Sequence, residues 1–287
     1  MTSPSPRRYL MCAPEFFDVV YEINPWMDVS DPVDRDLALE QWHTLVGTYR
    51  GLGHVVHEIT PQPGLPDMVY AANGATVVDG RVLGAAFATA QRTAEAGHHL
   101  AWHTEHSAGL GWTVVTPAQH TNEAEGDFAV LADVALAGYG FRTDPRAHAE
   151  LAEVAGVPAI SLRLVDDVYY HLDVALAVLE DGPVLGVPAG TPGRGNIAWY
   201  PPAFSPSSQA VIRRLFPEAV VAADVDAEVL GLNLVSDGRH VVVPSRAEKL
   251  AAQLAEVGYE PVPVDLSELL KGGGSIKCCT QELRPAG

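Results

Sequence analysis

The chain contains 287 residues, and its 18 Lys and Arg residues against 36 Asp and Glu residues give a formal net charge of −18. This acidity excludes a nucleic-acid-binding role, because clustered basic side chains bind a phosphate backbone. Hydrophobic residues make up 47% of the chain, enough for a folded core. Few cysteines, and the lack of a signal peptide or a long apolar run, predict a cytoplasmic protein.

The N-terminal part of the chain predicts a strand from residue 8, a helix over 33–51 and a strand over 54–59. A β-hairpin follows around Asp79-Gly80, because an Asp-Gly pair adopts the positive φ angles of a two-residue turn. A helical segment rich in His and Ala and a strand from Trp112 come next. The order of elements is therefore strand, hairpin turn, strand, helix and strand.

The same order returns along the chain up to residue 266. The further predicted elements are strands at 127–131 and 134–138, a helix at 145–154 and a strand at 158–162; strands at 171–179, 184–187 and 219–221; and strands at 232–235 and 240–243, a helix at 246–257 and a strand at 260–264. One such unit cannot bury its apolar face alone, so the units pack around a shared core. With 274–284 completing the unit that the N-terminus begins, the sequence predicts one closed α/β domain over 8–287.

Polar residues stand where the first strand of each unit begins, and in a pseudo-symmetric ring these positions converge near the axis. They are Asn73, Asp127 preceded by Glu123 and Glu125, His171 with Asp173, Asn233, and Cys278. The sequence therefore predicts one central cavity lined by a thiol, an imidazole, carboxylates and amides.

These residue types point to covalent chemistry on a cation. Cys278 follows a glycine run that lets the backbone approach closely and a strand begin abruptly, and His171 can both take and return a proton. The carboxylates of Glu123 and Asp173 suit a guanidinium, whose planar fork of donors requires paired acceptors. Asp127 has an equally weighted alternative role, capping backbone donors at the turn before its strand.

Three histidines in the helical segment, His99, His103 and His106, have the i, i+4, i+7 spacing of one helix face, in which zinc could bind. A polar helix face explains the same spacing, and no thiolate or fixed carboxylate completes a ligand set. We therefore predict neither a metal site nor an organic cofactor.

Six segments carry a resemblance to a known family. They are Met11-Cys-Ala-Pro-Glu-Phe-Phe, Tyr21-Glu-Ile-Asn-Pro-Trp-Met, Pro66-Asp-Met-Val-Tyr-Ala-Ala-Asn-Gly, Glu123-Ala-Glu-Gly-Asp, His171-Leu-Asp and Gly272-Gly-Gly-Ser-Ile-Lys-Cys. The chain resembles the guanidino-group modifying enzymes, which include dimethylarginine dimethylaminohydrolase, arginine deiminase, arginine dihydrolase and the amidinotransferases. The resemblance implies the pentein fold, a five-fold pseudo-symmetric α/β propeller of strand-hairpin-helix-strand units.

The resemblance also implies roles for individual residues. Cys278 is the expected nucleophile, His171 the general acid and base, and Glu123, favoured over Glu125 by its spacing to Asp127, the acidic partner. The residues expected to bind substrate are Asn24, Asp67, Asn73, Arg92, Asp127, Asp173 and Asn233. Among them, Arg92 is the expected clamp for a substrate carboxylate.

The implied reaction is hydrolysis of a small-molecule guanidine through an S-alkylthiouronium intermediate, with dimethylarginine giving citrulline and dimethylamine. Asn73 and Asn24 are more similar to arginine dihydrolases, which form ornithine, carbon dioxide and ammonia, so that reaction stays an alternative. Arginine deiminase and amidinotransferase are further alternatives. A non-catalytic propeller that binds ribosomes is disfavoured by the joint presence of thiol, imidazole and acids, and self-association into a homo-oligomer stays open.

Overall fold

A computed structural model describes residues 6–286 of the chain; Gly287, with which the predicted domain ends, lies outside them. None of the helices in this part of the chain combines the length and apolarity needed to cross a membrane. The helices are α1 (Arg35–Gly51), α2 (Glu95–Leu110), α3 (Arg146–Ala155), α4 (Pro206–Leu215), α5 (Asp224–Ala227), α6 (Glu248–Glu256) and α7 (Ser267–Leu270).

The strands form five three-stranded sheets within the described residues. In chain order they are β1 (Arg8–Cys12), β2 (Val55–Ile59), β3 (Ala75–Val78), β4 (Arg81–Gly84), β5 (Val114–Thr116), β6 (Phe128–Val130), β7 (Ala135–Tyr139), β8 (Ala159–Arg163), β9 (Leu176–Glu180), β10 (Asn196–Trp199), β11 (Val220–Val221), β12 (Val235–Ser236), β13 (His240–Pro244), β14 (Glu260–Val264) and β15 (Gln281–Glu282). The sheet orders are β15-β1-β2, β3-β4-β5, β6-β7-β8, β9-β10-β11 and β12-β13-β14.

Every sheet has the same internal arrangement. The middle strand is antiparallel to the first strand and parallel to the third, as the predicted units require. Strand β15 pairs with β1 through Tyr9 opposite Glu282 and Leu10 opposite Gln281, so the two ends of the chain complete one sheet. First strands of successive units also touch, β9 with β6 and β12, and β15 with β3. The predicted α/β class and five-fold arrangement are confirmed.

Local chemistry explains where individual elements begin and turn. The hairpin between β3 and β4 has positive φ at both turn residues, 47° at Asp79 and 70° at Gly80, as the sequence predicts. Helix α1 begins two residues later than predicted because Asp34 caps it, its carboxylate accepting from the N–H of Leu37 at 3.0 Å.

The predicted strand at 184–187 is wrong, and the second strand of that unit is β10 at Asn196–Trp199. The N–H groups of Val184 and Leu185 donate to the Asp133 carboxylate at 2.8 Å each, so a side chain uses the donors that a sheet ladder would need. Val184 is nevertheless buried. Its apolar character therefore reflects packing beneath a loop.

Hydrogen bonds join the five units into a closed ring, just before the first strand of each. The bonds are Asn73 Nδ2 to the Glu123 carbonyl, the Leu172 N–H to Asp127 Oδ1, Asn233 Nδ2 to the Asp173 carbonyl, the Cys278 N–H to Asn233 Oδ1, and the Ala72 N–H to the Cys278 carbonyl. The predicted convergence of polar positions is therefore a physical network. It holds the candidate site together from all five units.

Candidate active site

Cys278 lies in a turn over residues 276–279. The expected start of a strand at this position is wrong, because the backbone turns back on itself. The N–H of Cys279 donates to the carbonyl of Ser275 at 3.1 Å, and the strand of this segment begins only at Gln281. The turn directs the Cys278 backbone N–H into the ring of hydrogen bonds described above.

The glycine run before Cys278 allows the side chains of Tyr70 and Asn24 to pack directly against the backbone. A β-carbon on Gly272 would lie 2.1 Å from Tyr70 Oη, and one on Gly273 would lie 2.5 Å from Asn24 Oδ1. Gly273 also has a φ of 84°, which L side chains rarely adopt. The carbonyl of Gly273 accepts from the Tyr170 hydroxyl at 2.8 Å. The expected close backbone approach is therefore present.

The Cys278 sulfur is buried between a carboxylate and an amide. Sγ lies 3.2 Å from Asp173 Oδ2 and 3.1 Å from Asn233 Nδ2, and Cys278 is 2% exposed. Burial raises the pKa of the Cys278 thiol well above its usual range, and the charge of Asp173 raises it further. With only these neighbours, the thiol holds its proton at neutral pH.

His171 and Glu123 form a buried pair next to the turn that carries Asp173. His171 Nε2 lies 2.7 Å from Glu123 Oε2. His171 also begins the Leu172–Val174 turn that carries Asp173, which touches Cys278. Burial acts to raise the pKa of Glu123, but the hydrogen bond and charge of His171 outweigh it and hold that pKa well below its usual range. Glu123 is therefore ionised and fixes the imidazole.

Arg142 is a member of the site that sequence reasoning missed. Its Nη1 donates to both oxygens of Glu123, at 3.2 and 3.3 Å, and its Nη2 donates to the carbonyl of Ile23. The guanidinium carbon lies 4.8 Å from the centre of the Tyr170 ring. Three separate parts of the chain meet at Arg142. No local motif marks the residue, so only the assembled fold identifies it.

The structure distinguishes the two glutamates that the sequence left as alternatives. Glu125 accepts from Lys277 Nζ and from Arg284 Nη1, both at 2.6 Å, and from the N–H of Glu282 at 3.0 Å. Its carboxylate is therefore satisfied inside the protein. Glu123 contacts His171, so its position fits the role predicted for it better than that of Glu125 does.

Asp127 accepts hydrogen bonds from other parts of the protein through both of its carboxylate oxygens. Its Oδ2 accepts from Thr143 Oγ1 at 2.6 Å, and its Oδ1 accepts from the N–H of Leu172 at 3.1 Å. Burial raises its pKa to about 6. Both oxygens bind the protein, and the backbone donor that Asp127 caps is Leu172, in the turn before β9 and not in the turn before its own strand. The substrate contact expected for Asp127 stays a prediction. The bond to Leu172 fixes the turn between His171 and Asp173.

Arg92 also differs from the expectation that it clamps a substrate carboxylate. Its Nε and Nη2 donate to Glu95, its Nη1 donates to Asn73 Oδ1 at 2.7 Å, and Nη2 also donates to the Asp67 carbonyl. Glu95, which sequence reasoning missed, is fully buried, and burial raises its pKa to about 7. The i, i+3 spacing to Arg92 was the available signal. Arg92 therefore neutralises Glu95 and anchors Asn73.

Two further residues expected to bind substrate have different surroundings. Asp67 Oδ2 accepts from the Tyr21 hydroxyl at 2.9 Å, while Asp67 Oδ1 is buried with no hydrogen-bond partner among the described residues. Asn24 bonds backbone on both sides, accepting from the N–H of Trp26 and donating to the carbonyl of Gly272. Asp67 thus keeps an open acceptor, and Asn24 ties its own loop to the glycine run.

Three buried polar atoms of the candidate site residues lack a partner in the part of the chain that the structure describes. They are Asp67 Oδ1, Asp173 Oδ1 and His171 Nδ1. Buried acceptors without a donor cost free energy, and native structures keep them where a ligand satisfies them. Two of the open atoms belong to carboxylates. The arrangement therefore suits a cationic ligand that carries several N–H donors.

The histidines of α2 do not form a metal site. His99 and His103 are buried inside the protein, where His103 Nε2 contacts Gln281 Oε1, whereas His106 stacks on Trp102 with ring centres 4.2 Å apart. No group of three or more metal-binding side chains with suitable geometry occurs in the described range, 6–286. Packing explains these histidines.

Comparison with known proteins identifies similar chains. A dimethylarginine dimethylaminohydrolase of Mycobacterium tuberculosis is 50% identical over 283 residues, which cover 99% of this chain and 88% of that protein. The bifunctional arginine dihydrolase/ornithine cyclodeaminase AgrE of a Nostoc species is 34% identical over 281 residues, covering 95% of this chain and 37% of that protein. A scan of family models gave no match.

Solved structures agree with this relationship. The product-bound N-terminal domain of ArgZ, an arginine dihydrolase from cyanobacteria, superposes with a TM-score of 0.86 at 30% identity, covering 98% of each chain. A dimethylarginine dimethylaminohydrolase adduct has a TM-score of 0.72 at 15% identity, covering 97% of this chain and all of that one, and supports the fold alone. The chain therefore belongs to the dimethylarginine dimethylaminohydrolase family of guanidino-group modifying hydrolases, which share the pentein fold.

Proposed function

We propose that the protein hydrolyses Nω,Nω-dimethylarginine to citrulline and dimethylamine, with Cys278 as the nucleophile. The observation that carries this proposal is the 3.2 Å contact of Cys278 Sγ with Asp173 Oδ2, which puts a nucleophilic sulfur beside an acceptor for a guanidinium. The 50% identity to the mycobacterial dimethylarginine dimethylaminohydrolase supports this substrate.

The open acceptors suggest how the substrate binds. Asp173 Oδ1 accepts from the guanidinium and Asp67 Oδ1 from the α-ammonium group. The Glu123 carboxylate, whose oxygens already accept from His171, Arg142 and the N–H of Ala88, is the second anionic partner of the guanidinium. Arg142 replaces Arg92 as the proposed clamp for the α-carboxylate, because bonds to described protein groups engage four of the five N–H donors of Arg92 but at most three of those of Arg142. Paired, charge-assisted bonds of this kind hold a planar cation in one orientation.

The reaction divides into two balanced steps. The thiol proton of Cys278 passes to His171 as Sγ forms a bond to the guanidinium carbon, and the bond from that carbon to the dimethylamino nitrogen breaks as His171 passes this proton to the leaving amine. Dimethylamine departs, and an S-alkylthiouronium remains. A water molecule then attacks the same carbon, His171 accepts its proton, and the carbon–sulfur bond breaks. The net change consumes one water and yields citrulline and dimethylamine.

The charge balance of the site delays thiol ionisation until substrate binds. In the free protein, burial and the charge of Asp173 raise the pKa of Cys278. A bound guanidinium pairs with Asp173 and brings a positive charge beside the sulfur, which reverses that electrostatic effect. The nucleophile therefore forms when its target is present.

Arginine dihydrolase is the second candidate function, and Asn73 is the observation that favours it. Asn73 is neutral, and it is held by Arg92 Nη1 on one side and the Glu123 carbonyl on the other. A neutral residue at this position leaves room for a ureido intermediate to reorient for a second attack. The similarity to the Nostoc arginine dihydrolase segment fits this reading.

The test is incubation of the protein with dimethylarginine and, separately, with arginine, followed by measurement of dimethylamine, citrulline, ornithine and ammonia. We expect dimethylamine and citrulline from the first substrate. Cys278→Ser abolishes turnover, whereas Cys279→Ser, a change at the neighbouring buried thiol, retains it. Turnover of neither substrate, or full activity in Cys278→Ser, would overturn the proposal.

We further propose that 8–287 act as one catalytic domain in the cytoplasm. The pairing of β15 with β1 supports a single unit, since the two chain ends complete one sheet. The three cysteines are free in the described structure, in keeping with a reducing compartment. Cys278, His171 and Glu123 come from one chain, so the proposed chemistry requires no second copy.

A further inference from the structure

Asn233 occupies an unusual position beside Cys278, and the surrounding hydrogen bonds fix its orientation. Its Oδ1 accepts from the N–H groups of Ser275 and Cys278, both at 3.0 Å. Two N–H donors on one side require the oxygen there, so the amide nitrogen faces the other way. Nδ2 donates to the Asp173 carbonyl at 3.2 Å and to Cys278 Sγ at 3.1 Å. Asn233 is completely buried.

The Asn233 side chain thus hydrogen-bonds both the backbone and the sulfur of Cys278. Oδ1 holds the backbone of Cys278, and Nδ2 approaches its sulfur. The other side-chain contact of the sulfur is Asp173, which accepts the thiol proton and repels a thiolate. Among the described residues, no Lys, Arg or His donates a hydrogen bond to Sγ. Asn233 is therefore the side-chain donor that favours negative charge on the sulfur, beside a backbone hydrogen bond of Ser275 that lowers the pKa of the thiol.

We propose that Asn233 is a catalytic residue that holds Cys278 in its reactive position and donates a hydrogen bond to the thiolate during attack and departure. This assignment rests on the proposed role of Cys278 as nucleophile. It replaces the substrate contact expected for Asn233. The thiolate exists before sulfur attacks the guanidinium carbon and forms again when the carbon–sulfur bond breaks, and the same N–H stabilises the negative charge of the sulfur in both states.

A neutral amide suits this position better than a cationic side chain. A lysine or arginine beside the sulfur would pair with Asp173 and compete with the substrate guanidinium for that carboxylate. An amide supplies a donor without a charge, so Asp173 keeps Oδ1 open for a ligand. The closed ring of hydrogen bonds fixes Asn233 in advance, so its donor needs no reorganisation during the reaction.

Asn233→Asp tests the donor separately from the positioning. The new carboxylate keeps an oxygen for the N–H groups of Ser275 and Cys278, but its second oxygen replaces the N–H that faces Sγ. The readout is the pH dependence of Cys278 alkylation by iodoacetamide in the substrate-free protein, with the site of modification located by mass spectrometry. Titratable groups near the thiol are Asp173, Tyr70, Tyr170 and Cys279, and the charges of His171 and Lys277 act on Asp173.

We expect the thiol pKa to rise by about one unit or more in Asn233→Asp, which lowers the alkylation rate at neutral pH about tenfold. Asn233→Ala, which adds no charge, shifts it in the same direction. Asn196→Asp is the matched control, because Asn196 lies on β10 and its amide nitrogen donates to the Glu218 carbonyl. Its alkylation profile equals that of the unmodified protein.

A measurement without substitution of Asn233 covers the outcome in which those variants fail to fold. In ¹⁵N-labelled protein, one side-chain amide signal moves with the same midpoint as alkylation, and this movement is absent in Cys278→Ala. Unchanged alkylation profiles in folded Asn233 variants, or no side-chain amide that follows the thiol, would overturn the assignment. Dimethylarginine turnover by the unmodified protein is measured in parallel, so failure of the proposed function is recognised separately.

Discussion

Glu123 Oε2 lies 2.7 Å from His171 Nε2, and both side chains are buried. Burial would raise the pKa of Glu123, but the hydrogen bond and charge of His171, with the charge of Arg142, hold it well below its usual range. An ionised Glu123 fixes the imidazole and stabilises the imidazolium that forms when His171 takes a proton. The hydrogen bond therefore joins His171, the proposed general acid and base, to Glu123, a carboxylate that we propose pairs with the guanidinium.

Glu123→Gln removes that charge while keeping the shape of the side chain. We expect kcat/KM for dimethylarginine to fall by about 100-fold or more, since general acid–base catalysis contributes on this scale. Glu125→Gln is the matched variant. It breaks buried ion pairs with Lys277 and Arg284, so we expect the free energy of unfolding to fall by about 3 kcal/mol. Steady-state kinetics and urea unfolding of both variants provide the measurements.

For this assignment to hold, Glu123→Gln must lower kcat/KM, whereas Glu125→Gln must lower the free energy of unfolding. Glu125→Gln keeps kcat/KM within a few-fold of the unmodified protein wherever it is folded. A loss of activity in folded Glu125→Gln as large as that in Glu123→Gln would show that the two residues act alike and would contradict the assignment.

Asp173→Asn has opposite effects on thiol reactivity and on turnover. The Asp173 charge raises the pKa of Cys278, so its removal increases alkylation of the free protein by iodoacetamide at neutral pH several-fold. The same change removes an acceptor for the guanidinium, and kcat/KM falls by about 100-fold. Alkylation rates and turnover are measured on one preparation. A fall in both quantities would contradict this dual effect.

Two buried histidines make the protein less stable in acid. Burial lowers the pKa of His99 to about 3 and that of His103 to about 4. Below pH of about 6.5, each histidine binds fewer protons in the folded state than in the unfolded chain. Its contribution to the free energy of unfolding is therefore fully present above this pH and is lost as the pH falls toward the folded-state pKa. We expect each histidine to cost about 2 kcal/mol of stability at pH 5 relative to pH 7.5.

Urea unfolding at the two pH values checks this expectation. His99→Leu removes one titrating group and reduces the loss between pH 7.5 and pH 5 by about 2 kcal/mol. His98→Gln, at the neighbouring exposed position on α2, leaves the loss unchanged. An unaltered loss in His99→Leu would show that other groups cause the acid sensitivity.

The repeat in the sequence was sufficient to predict the arrangement of the site. Strand, hairpin, helix and strand recur, so equivalent polar positions must meet at the axis, and the ring from Asn73 to Cys278 confirms this. Periodicity could not show which way a side chain faces. Glu123 and Glu125 are two residues apart in one turn, yet one binds His171 and the other Lys277.

Contacts between residues that are far apart in the chain could not be predicted from the sequence. Arg142 belongs to the site because Glu123, Tyr170 and the carbonyl of Ile23 surround it. No motif or residue spacing in the sequence indicates these contacts. The wrong strand at 184–187 has a similar cause. A distant carboxylate, Asp133, takes the backbone donors of an apolar segment that otherwise has strand character.

Asn73→Asp distinguishes one hydrolytic step from two. The new oxygen would face the Glu123 carbonyl, to which Asn73 Nδ2 now donates at 3.3 Å, and repulsion turns the carboxylate toward the cavity while Arg92 holds its other oxygen. A carboxylate there binds the guanidinium and restrains reorientation of a ureido intermediate. If the protein converts arginine to ornithine, we expect Asn73→Asp to shift the product toward citrulline, measured by chromatography of both amino acids. An unchanged product ratio in folded Asn73→Asp would exclude Asn73 as the residue that permits the second step.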